Sequence, residues 1–152
     1  MVNSDKSGIM FTINPSNNND SEIVIEAIYG LGEMIVQGQA TPDRYVIDKN
    51  SLEIISKDIF IQPIQLIKQG SKTKQYPIAK KIQDKQKISD KRIVEIAKIG
   101  KKIQEHYFFP QDVEWSIEKE KIYIVQTRPI TTLETITLLA DETRPRKTIL
   151  QG

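Results

Sequence analysis

Cysteine and long apolar runs are both missing from this sequence. The 152 residues contain no cysteine, which excludes disulfides, cysteine-ligated zinc and a thiol nucleophile. Apolar runs such as Ile23–Ile25 and Ile122–Val125 fall far short of the roughly 20 apolar residues that a membrane-spanning helix requires. The first residues, MVNSDKSG, lack the basic region and apolar stretch of a secretory signal. We therefore expect a cytoplasmic protein.

The remaining composition is that of one soluble globular domain. Hydrophobic residues make up 38% and charged residues 28% of the chain, enough to bury a modest core. The net charge of +2 is unevenly spread, because Ile64–Ile88 holds seven lysines and one aspartate. That segment could bind nucleic acid, but it has no arginine and only one aromatic residue, Tyr76, whereas nucleic-acid grooves usually combine both. We interpret it as a solvated, lysine-rich excursion and keep a basic binding module as an alternative.

Turn chemistry and periodicity predict an α+β fold. The segments Gly8–Ile13 and Glu22–Ala27 read as a hairpin joined by the polar run Asn14–Asp20. The clearest helix, over about 89–107, begins at the N-cap candidate Ser89 and ends before Pro110. Its apolar positions recur at helical spacing: Ile93, Ile96, Ala97, Gly100, Ile103 and Tyr107. Further strands are predicted over Arg44–Asp48, Glu53–Gln62, Val113–Ile117 and Ile122–Thr127. Ile64–Ile88 is either an extended hairpin or a loop, and hairpins beside one helix favour α+β over a doubly wound sheet.

The stretch DVEWSIEKEKIYIVQTRP, residues 112–129, places polar side chains where a half-buried hairpin would normally carry apolar ones. Asp112 and Glu114 share one side of the first strand, and Gln126 and Arg128 share one side of the second. Both pairs could meet on one face of the hairpin or lie on opposite faces.

The length of the connecting loop decides between these arrangements. A two-residue loop, Lys119-Glu120, would pair Glu114 with Val125 and separate the polar pairs. A three-residue loop, 119–121, would pair Glu114 with Gln126 and also Asp112 with Arg128.

On one face, these four residues have a clear chemical logic. Two carboxylates and an amide oxygen suit Mg²⁺, and the arginine offers a planar fork for phosphate. The alternative interpretation is a cross-strand salt bridge between Asp112 and Arg128, which on a solvated face contributes little. The segment Gly30-Leu31-Gly32-Glu33 also has two interpretations. It is either a tight turn or a place where the backbone approaches a ligand closely. It matches neither the dinucleotide fingerprint nor a P-loop.

Four stretches in this order resemble the phosphoenolpyruvate synthase (pyruvate, water dikinase) family: SGIMFTINP, EAIYGLGEMIVQGQATPD, QDVEW and IYIVQTRPITTL. The resemblance covers about Ser7 to Leu133 and weakens through Ile64–Ile88. It implies the later part of an ATP-grasp-like nucleotide-binding domain. In that family the domain binds Mg-ATP and passes a phosphoryl group to a histidine on a separate domain, from which pyruvate becomes phosphoenolpyruvate, so the resemblance implies the same activity for the parent of this chain. Pyruvate, phosphate dikinase and rifampicin phosphotransferase share the domain and remain alternatives.

The resemblance also implies roles for individual residues. Glu33 resembles an acid near the phosphates, and Asp112 belongs to the family's D-x-E motif. Glu114 and Gln126 would be the metal ligands, and Arg128 would contact the transferring phosphates. The three-residue loop is the register that this arrangement needs.

Some parts of the family pattern are absent from this sequence. We expect residues 1–135 to form a partial nucleotide-binding domain and 136–152 a linker toward a phosphohistidine domain. The lysine and arginine of the other lobe and the phosphoryl-accepting histidine have no counterpart here, so the chain alone is expected to be inactive. His106 resembles a structural helix end rather than a phosphoryl carrier, and Trp115 is expected in the core.

Overall fold

Short apolar segments form most of the strands of this protein, which is described over residues 5–130 by a computed structural model. The predicted linker over 136–152 lies outside the described residues. The strands are β1 (Lys6–Phe11), β2 (Glu22–Tyr29), β3 (Asp43–Asp48), β4 (Ile54–Asp58), β5 (Ile64–Gln69), β6 (Lys72–Pro77), β7 (Gln111–Glu118) and β8 (Lys121–Pro129). The helices are α1 (Glu33–Val36) and α2 (Asp90–Tyr107), with a short 3-10 turn at Lys80–Ile82. The α+β prediction is confirmed.

Six strands form one sheet in the order β4-β3-β2-β1-β7-β8, and all neighbours are antiparallel. The predicted first hairpin, β1–β2, is confirmed. Its loop closes through a bridge between Asn14 and Asn19, and Asn18 adopts a left-handed conformation with φ 57°. Asparagine tolerates that conformation better than most residues, so the polar run explains the turn.

One face of this sheet carries the main core, and the other carries polar groups beside a smaller apolar cluster around Ile28. On the first face, apolar side chains from the central strands pack against α2, and Trp115 is buried there as predicted. The core cluster includes Met10, Ile23, Ile25, Tyr45, Ile47, Ile93, Ile96, Val113 and Trp115. Because successive strand residues point to opposite faces, the neighbours of these residues lie on the face away from the helix, which is called the open face below.

The long helix follows its predicted signals closely. The Ser89 side chain accepts a hydrogen bond from the Arg92 backbone N–H at 3.2 Å, as expected of an N-cap. The helix ends at Phe108, which is left-handed with φ 61° and donates its N–H to the carbonyl oxygen of Gln104. Tyr107, predicted on the buried face, is instead 50% exposed, because it borders an open groove with Ile124 and Thr127 of β8 rather than packing into the core. None of the helices within residues 5–130 has both the length and the apolar character that crossing a bilayer demands.

The predicted strand over Glu53–Gln62 is shortened to β4, Ile54–Asp58. Pairing with β3 stops where Arg44 faces Asp58. Beyond that point the backbone of Phe60 bonds instead to the buried side chains of Asp43 and Lys87. These bonds hold the chain out of the sheet.

The region Ile64–Ile88 contains an extended hairpin, β5–β6, which forms its own two-stranded sheet. Gly70 takes φ +64° in its two-residue turn. The interpretation of this region as uniformly solvated is wrong for Lys87, which is 1% exposed and paired with Asp43. A lysine can be buried when its charge is neutralised and its three donors are used.

Candidate functional site

The β7–β8 hairpin brings four of the five predicted site residues together. Asp112 lies opposite Arg128, and Glu114 lies opposite Gln126. Directly opposed residues of antiparallel strands point to the same face. All four side chains therefore project from the open face, on the side of the sheet away from α2.

The predicted pairing is confirmed, but the predicted three-residue loop is wrong. Glu118 pairs with Lys121, which leaves a two-residue turn. The register then shifts between Glu114 and Trp115, because Trp115 faces Ile124 while Glu114 faces Gln126. Val125 is thus the extra residue of a β-bulge, which restores the offset that a longer loop would have provided.

Contacts with distant residues hold this unusual two-residue turn. Lys119 and Glu120 both have positive φ, 50° and 71°, as in the mirror-image turns that match strand twist and normally favour Asn-Gly. The Lys119 N–H donates to the Asp5 carboxylate at 3.0 Å, and the Arg92 guanidinium donates to the Glu120 carbonyl oxygen. These bonds offset the cost of left-handed lysine and glutamate.

Within the site, Arg128 lies near both acids without a tight pair. Its guanidinium nitrogen is 3.4 Å from a carboxylate oxygen of Asp112 and 3.7 Å from one of Glu114. Charge-assisted bonds are typically about 2.7–2.9 Å long, and half of the Arg128 side chain is exposed. The guanidinium is therefore loosely held and accessible to an anion.

Asp112 is the most constrained of the four residues. Burial raises the pKa of its carboxyl above the ordinary value, and the Arg128 guanidinium partly offsets the rise. Its second oxygen, Oδ1, is buried and has no hydrogen-bond partner among the described residues. An unsatisfied buried acceptor is costly, so this oxygen is suited to a donor or cation supplied by a ligand.

The donor set fits Mg²⁺ that keeps part of its own coordination shell. Glu114 and Gln126 offer a carboxylate and an amide oxygen side by side. Within residues 5–130, no group of three or more histidine, aspartate or glutamate side chains is placed to hold a metal ion. Mg²⁺ is commonly bound through one or two carboxylates, with waters and phosphate oxygens completing its shell, so these residues suit a metal that arrives with a polyphosphate.

Two other predicted residues lie apart from this group. Glu33 is exposed at the start of α1 and makes no described ion pair with the four site residues. The preceding residue, Gly32, lies over the side chain of Ser7 on the open face, so Glu33 belongs to the same side of the sheet but to its other end. His106 is exposed on the last turn of α2, on the opposite face, as expected of a structural helix end.

Sequence reasoning missed a second polar pair on the open face. Glu26 of β2 lies opposite Arg44 of β3, and both share the face of Glu114. The Arg44 guanidinium donates to the side chains of Asn14 and Ser16, while no described residue donates a hydrogen bond to the Glu26 carboxylate. The available signal was the charged residue Glu26 in the interior of the strand EIVIEAIY, whose other interior residues are apolar.

Glu26→Gln is expected to stabilise the fold at pH 7. Burial raises the pKa of Glu26, Arg44 partly offsets the rise, and Asp112 adds to it. A carboxyl with a raised folded-state pKa stabilises the fold below its unfolded pKa of about 4.3, and this stabilisation is lost as pH rises through the folded pKa. The amide removes the cost of ionising a buried group, so urea denaturation should show a gain of a few tenths to about 1 kcal/mol. The gain should vanish at pH 3; a variant less stable than wild type at pH 7 would refute this account.

The fold of this chain, an α+β sheet whose open face carries acidic and basic side chains, has known relatives. Residues 1–147 match the family described as "Pyruvate phosphate dikinase, AMP/ATP-binding domain". The chain belongs to this family of nucleotide-binding domains.

Several relatives carry names that specify a reaction. A probable phosphoenolpyruvate synthase of Pyrococcus horikoshii is 46% identical over the whole chain, and the phosphoenolpyruvate synthase of Pyrococcus furiosus is 44% identical over the whole chain. An uncharacterized phosphotransferase of Bacillus subtilis is 34% identical over 95% of the chain. The chain spans 20% of the length of each Pyrococcus protein and 17% of the Bacillus protein.

Proposed function

We propose that this chain is an ATP-grasp-like lobe that provides the metal- and phosphate-binding side of a Mg-ATP site. The parent enzyme would be a phosphotransferase resembling phosphoenolpyruvate synthase, which converts ATP, pyruvate and water to AMP, phosphoenolpyruvate and phosphate. The observation that carries the proposal is the bulged β7–β8 register, which gathers Asp112, Glu114, Gln126 and Arg128 on one accessible face. Membership of an AMP/ATP-binding domain family supports a nucleotide as the ligand.

Each residue has a role that follows from its chemistry. Glu114 and Gln126 would hold Mg²⁺, which when bound bridges phosphate oxygens and neutralises their charge. Arg128 would turn from the two acids toward the phosphates, because a planar guanidinium binds phosphate oxygens in a fork. The unsatisfied Oδ1 of Asp112 would accept a hydrogen bond from a metal-bound water. Glu33 is proposed to approach the phosphates from the other end of the open face.

This division of roles favours a bound ligand over a structural salt bridge. The Asp112–Arg128 pair, at 3.4 Å and with half of the arginine side chain exposed, would contribute little to stability by itself. The Asp112 carboxyl nevertheless lies in a half-buried position, where burial raises its pKa and so works against the charged form. A ligand site explains why that cost is tolerated.

The acceptor of the phosphoryl group is inferred from the relatives. Those named phosphoenolpyruvate synthase favour pyruvate as the eventual acceptor, by way of a phosphohistidine domain of the parent enzyme. Enzymes resembling rifampicin phosphotransferase or pyruvate, phosphate dikinase remain the alternatives. The chain by itself is proposed to bind Mg-ATP weakly and to be inactive.

An NMR titration of the isotopically labelled chain with Mg-ATP tests the proposal. Amide shifts are expected at Glu114, Gln126 and Arg128, with millimolar affinity. Glu114→Gln and Arg128→Ala should each weaken binding about tenfold, because each removes a charge-assisted contact.

Glu118→Gln is the matched control, since Glu118 lies on the same strand and face, about 13 Å from Glu114. It should leave binding unchanged. Equal losses in Glu114→Gln and Glu118→Gln would indicate nonspecific charge attraction and refute the site. Shifts confined to the lysines of β5–β6 and abolished by salt would instead support the basic binding module.

A further inference from the structure

The open face extends beyond the four residues of the proposed phosphate site. Ile9 of β1 lies opposite Glu26 of β2 on one side and opposite Glu114 of β7 on the other. The three side chains therefore form one row across three strands. Neighbouring strands lie about 4.8 Å apart, which places the Cα atoms of Glu26 and Glu114 about 10 Å apart.

The two glutamates have different neighbours on the open face. Glu114 lies toward β8, where the Arg128 guanidinium is 3.7 Å away. Glu26 is paired across the sheet with Arg44, on the opposite side of Ile9. Because Glu26 lies on the far side of Ile9 from Glu114 and beside Arg44, it faces a different part of a ligand held by Glu114 and Gln126.

The chemistry of the Glu26 carboxylate indicates which part of a nucleotide it can contact. An ionised carboxylate only accepts hydrogen bonds, and it has no donor among the described residues. The phosphates of a nucleotide carry no donors and would be repelled. The donors of the nucleotide are its ribose hydroxyls and its base amine, and the ribose is the nearer of these to the phosphates. Carboxylates are used in this way in dinucleotide-binding folds, where an acid binds a ribose hydroxyl.

The surface between the two glutamates suits a sugar. Ile9 and Phe11 alternate along β1 toward the open face and are only partly buried. They form an apolar strip bordered by Glu26 on β2 and by Asp112 and Glu114 on β7. A ribose can rest its C–H face on such a strip while its hydroxyls reach a carboxylate at the border.

We propose that Glu26 binds the ribose hydroxyls of the nucleotide, with Ile9 and Phe11 contacting the sugar from below. This proposal rests on the proposed Mg-ATP site. Arg44 then acts as a positioning residue. Its guanidinium is anchored to Asn14 and Ser16 at 3.2 and 3.0 Å, so its charge faces Glu26 and favours the ionised, accepting form.

Three ligands, each with Mg²⁺, test the assignment by calorimetry or NMR titration: ATP, 2′,3′-dideoxy-ATP and inorganic tripolyphosphate. Wild type should bind ATP about tenfold more tightly than dideoxy-ATP, as expected for hydrogen bonds to a charged group. Glu26→Ala should remove that preference and leave the affinity for tripolyphosphate unchanged. Glu22→Gln, on the same strand and face about 13 Å away, keeps an acceptor for the Asn14 side chain that anchors Arg44 and should retain the preference.

The outcomes separate this inference from the proposed function. If wild type binds ATP and dideoxy-ATP equally, or if Glu26→Ala weakens tripolyphosphate as much as ATP, the ribose assignment is wrong while the phosphate site stands. If wild type binds neither ATP nor tripolyphosphate, the proposed function fails and the ribose assignment fails with it. If the alanine variant loses its dispersed amide spectrum, Glu26→Gln, which keeps the side-chain shape, takes its place and should still reduce the preference for ATP.

Discussion

Replacing Asp43 with alanine is expected to lower the free energy of unfolding by about 3–5 kcal/mol, because it strands a buried lysine charge. The side chains of Asp43 and Lys87 are both fully buried and lie 2.9 Å apart. Asp43 also accepts hydrogen bonds from the Tyr45 hydroxyl and the backbone N–H of Phe60. Burial first, and then the bond to Asp43, raise the pKa of Tyr45, so its hydroxyl remains a donor. Urea denaturation at pH 7 measures the loss.

Two further variants show whether the loss comes from the stranded charge. Lys57→Ala removes an ion pair with Asp90 whose side chains are 36% and 62% exposed, and it should cost less than about 1 kcal/mol. The double variant Asp43→Leu, Lys87→Met removes both buried charges and should recover part of the loss. A double variant that is less stable than Asp43→Ala would show that the individual hydrogen bonds, rather than the unpaired charge, dominate.

Gly8→Ala is expected to destabilise the fold by about 3 kcal/mol or more. Gly8 lies in the central strand β1, opposite Ala27 and Trp115. A Cβ atom there would overlap the backbone carbonyl oxygen of Glu26 and come within 2.5 Å of the Trp115 ring. Neither the sheet backbone nor a fully buried indole can yield without disturbing the core. Thermal unfolding followed by circular dichroism should show a large fall in Tm.

Gly100→Ala is the matched control for crowding at a buried glycine. Its added Cβ would meet the thioether end of Met10, which is flexible and can adopt another rotamer. Alanine is also favoured over glycine within a helix by about 1 kcal/mol. A small net change is therefore expected, and a loss as large as that of Gly8→Ala would show that the core around Met10 cannot relax.

Local signals predicted the elements whose ends are marked by their own residues. The asparagine-rich turn identified the β1–β2 hairpin, and Ser89 together with the apolar spacing identified α2. The resemblance placed the four residues of β7 and β8 in one site, and the register confirms that they lie together.

The features that the sequence did not predict share a physical cause, because each depends on contacts between residues that are distant in sequence. The bulge at Val125 is not visible in the strand pattern. It is needed because the hairpin turn has only two residues, and that turn is held by the distant residues Asp5 and Arg92. Lys87 was grouped with exposed lysines because its partner Asp43 lies 44 residues earlier. Glu26 gained significance only when the register placed it beside Arg44 and across Ile9 from Glu114.

The bulge at Val125 divides β8 into two parts whose key side chains point to opposite faces of the sheet. Between the turn and the bulge, the side chains of Ile122 and Ile124 point to the helix side of the sheet. Beyond the bulge, those of Gln126 and Arg128 point to the open face. Because the two-residue turn and the bulge set the register together, losing either one alone would turn Gln126 and Arg128 to the helix side. The two features must therefore be inherited as a unit if the functional residues are to keep their orientation.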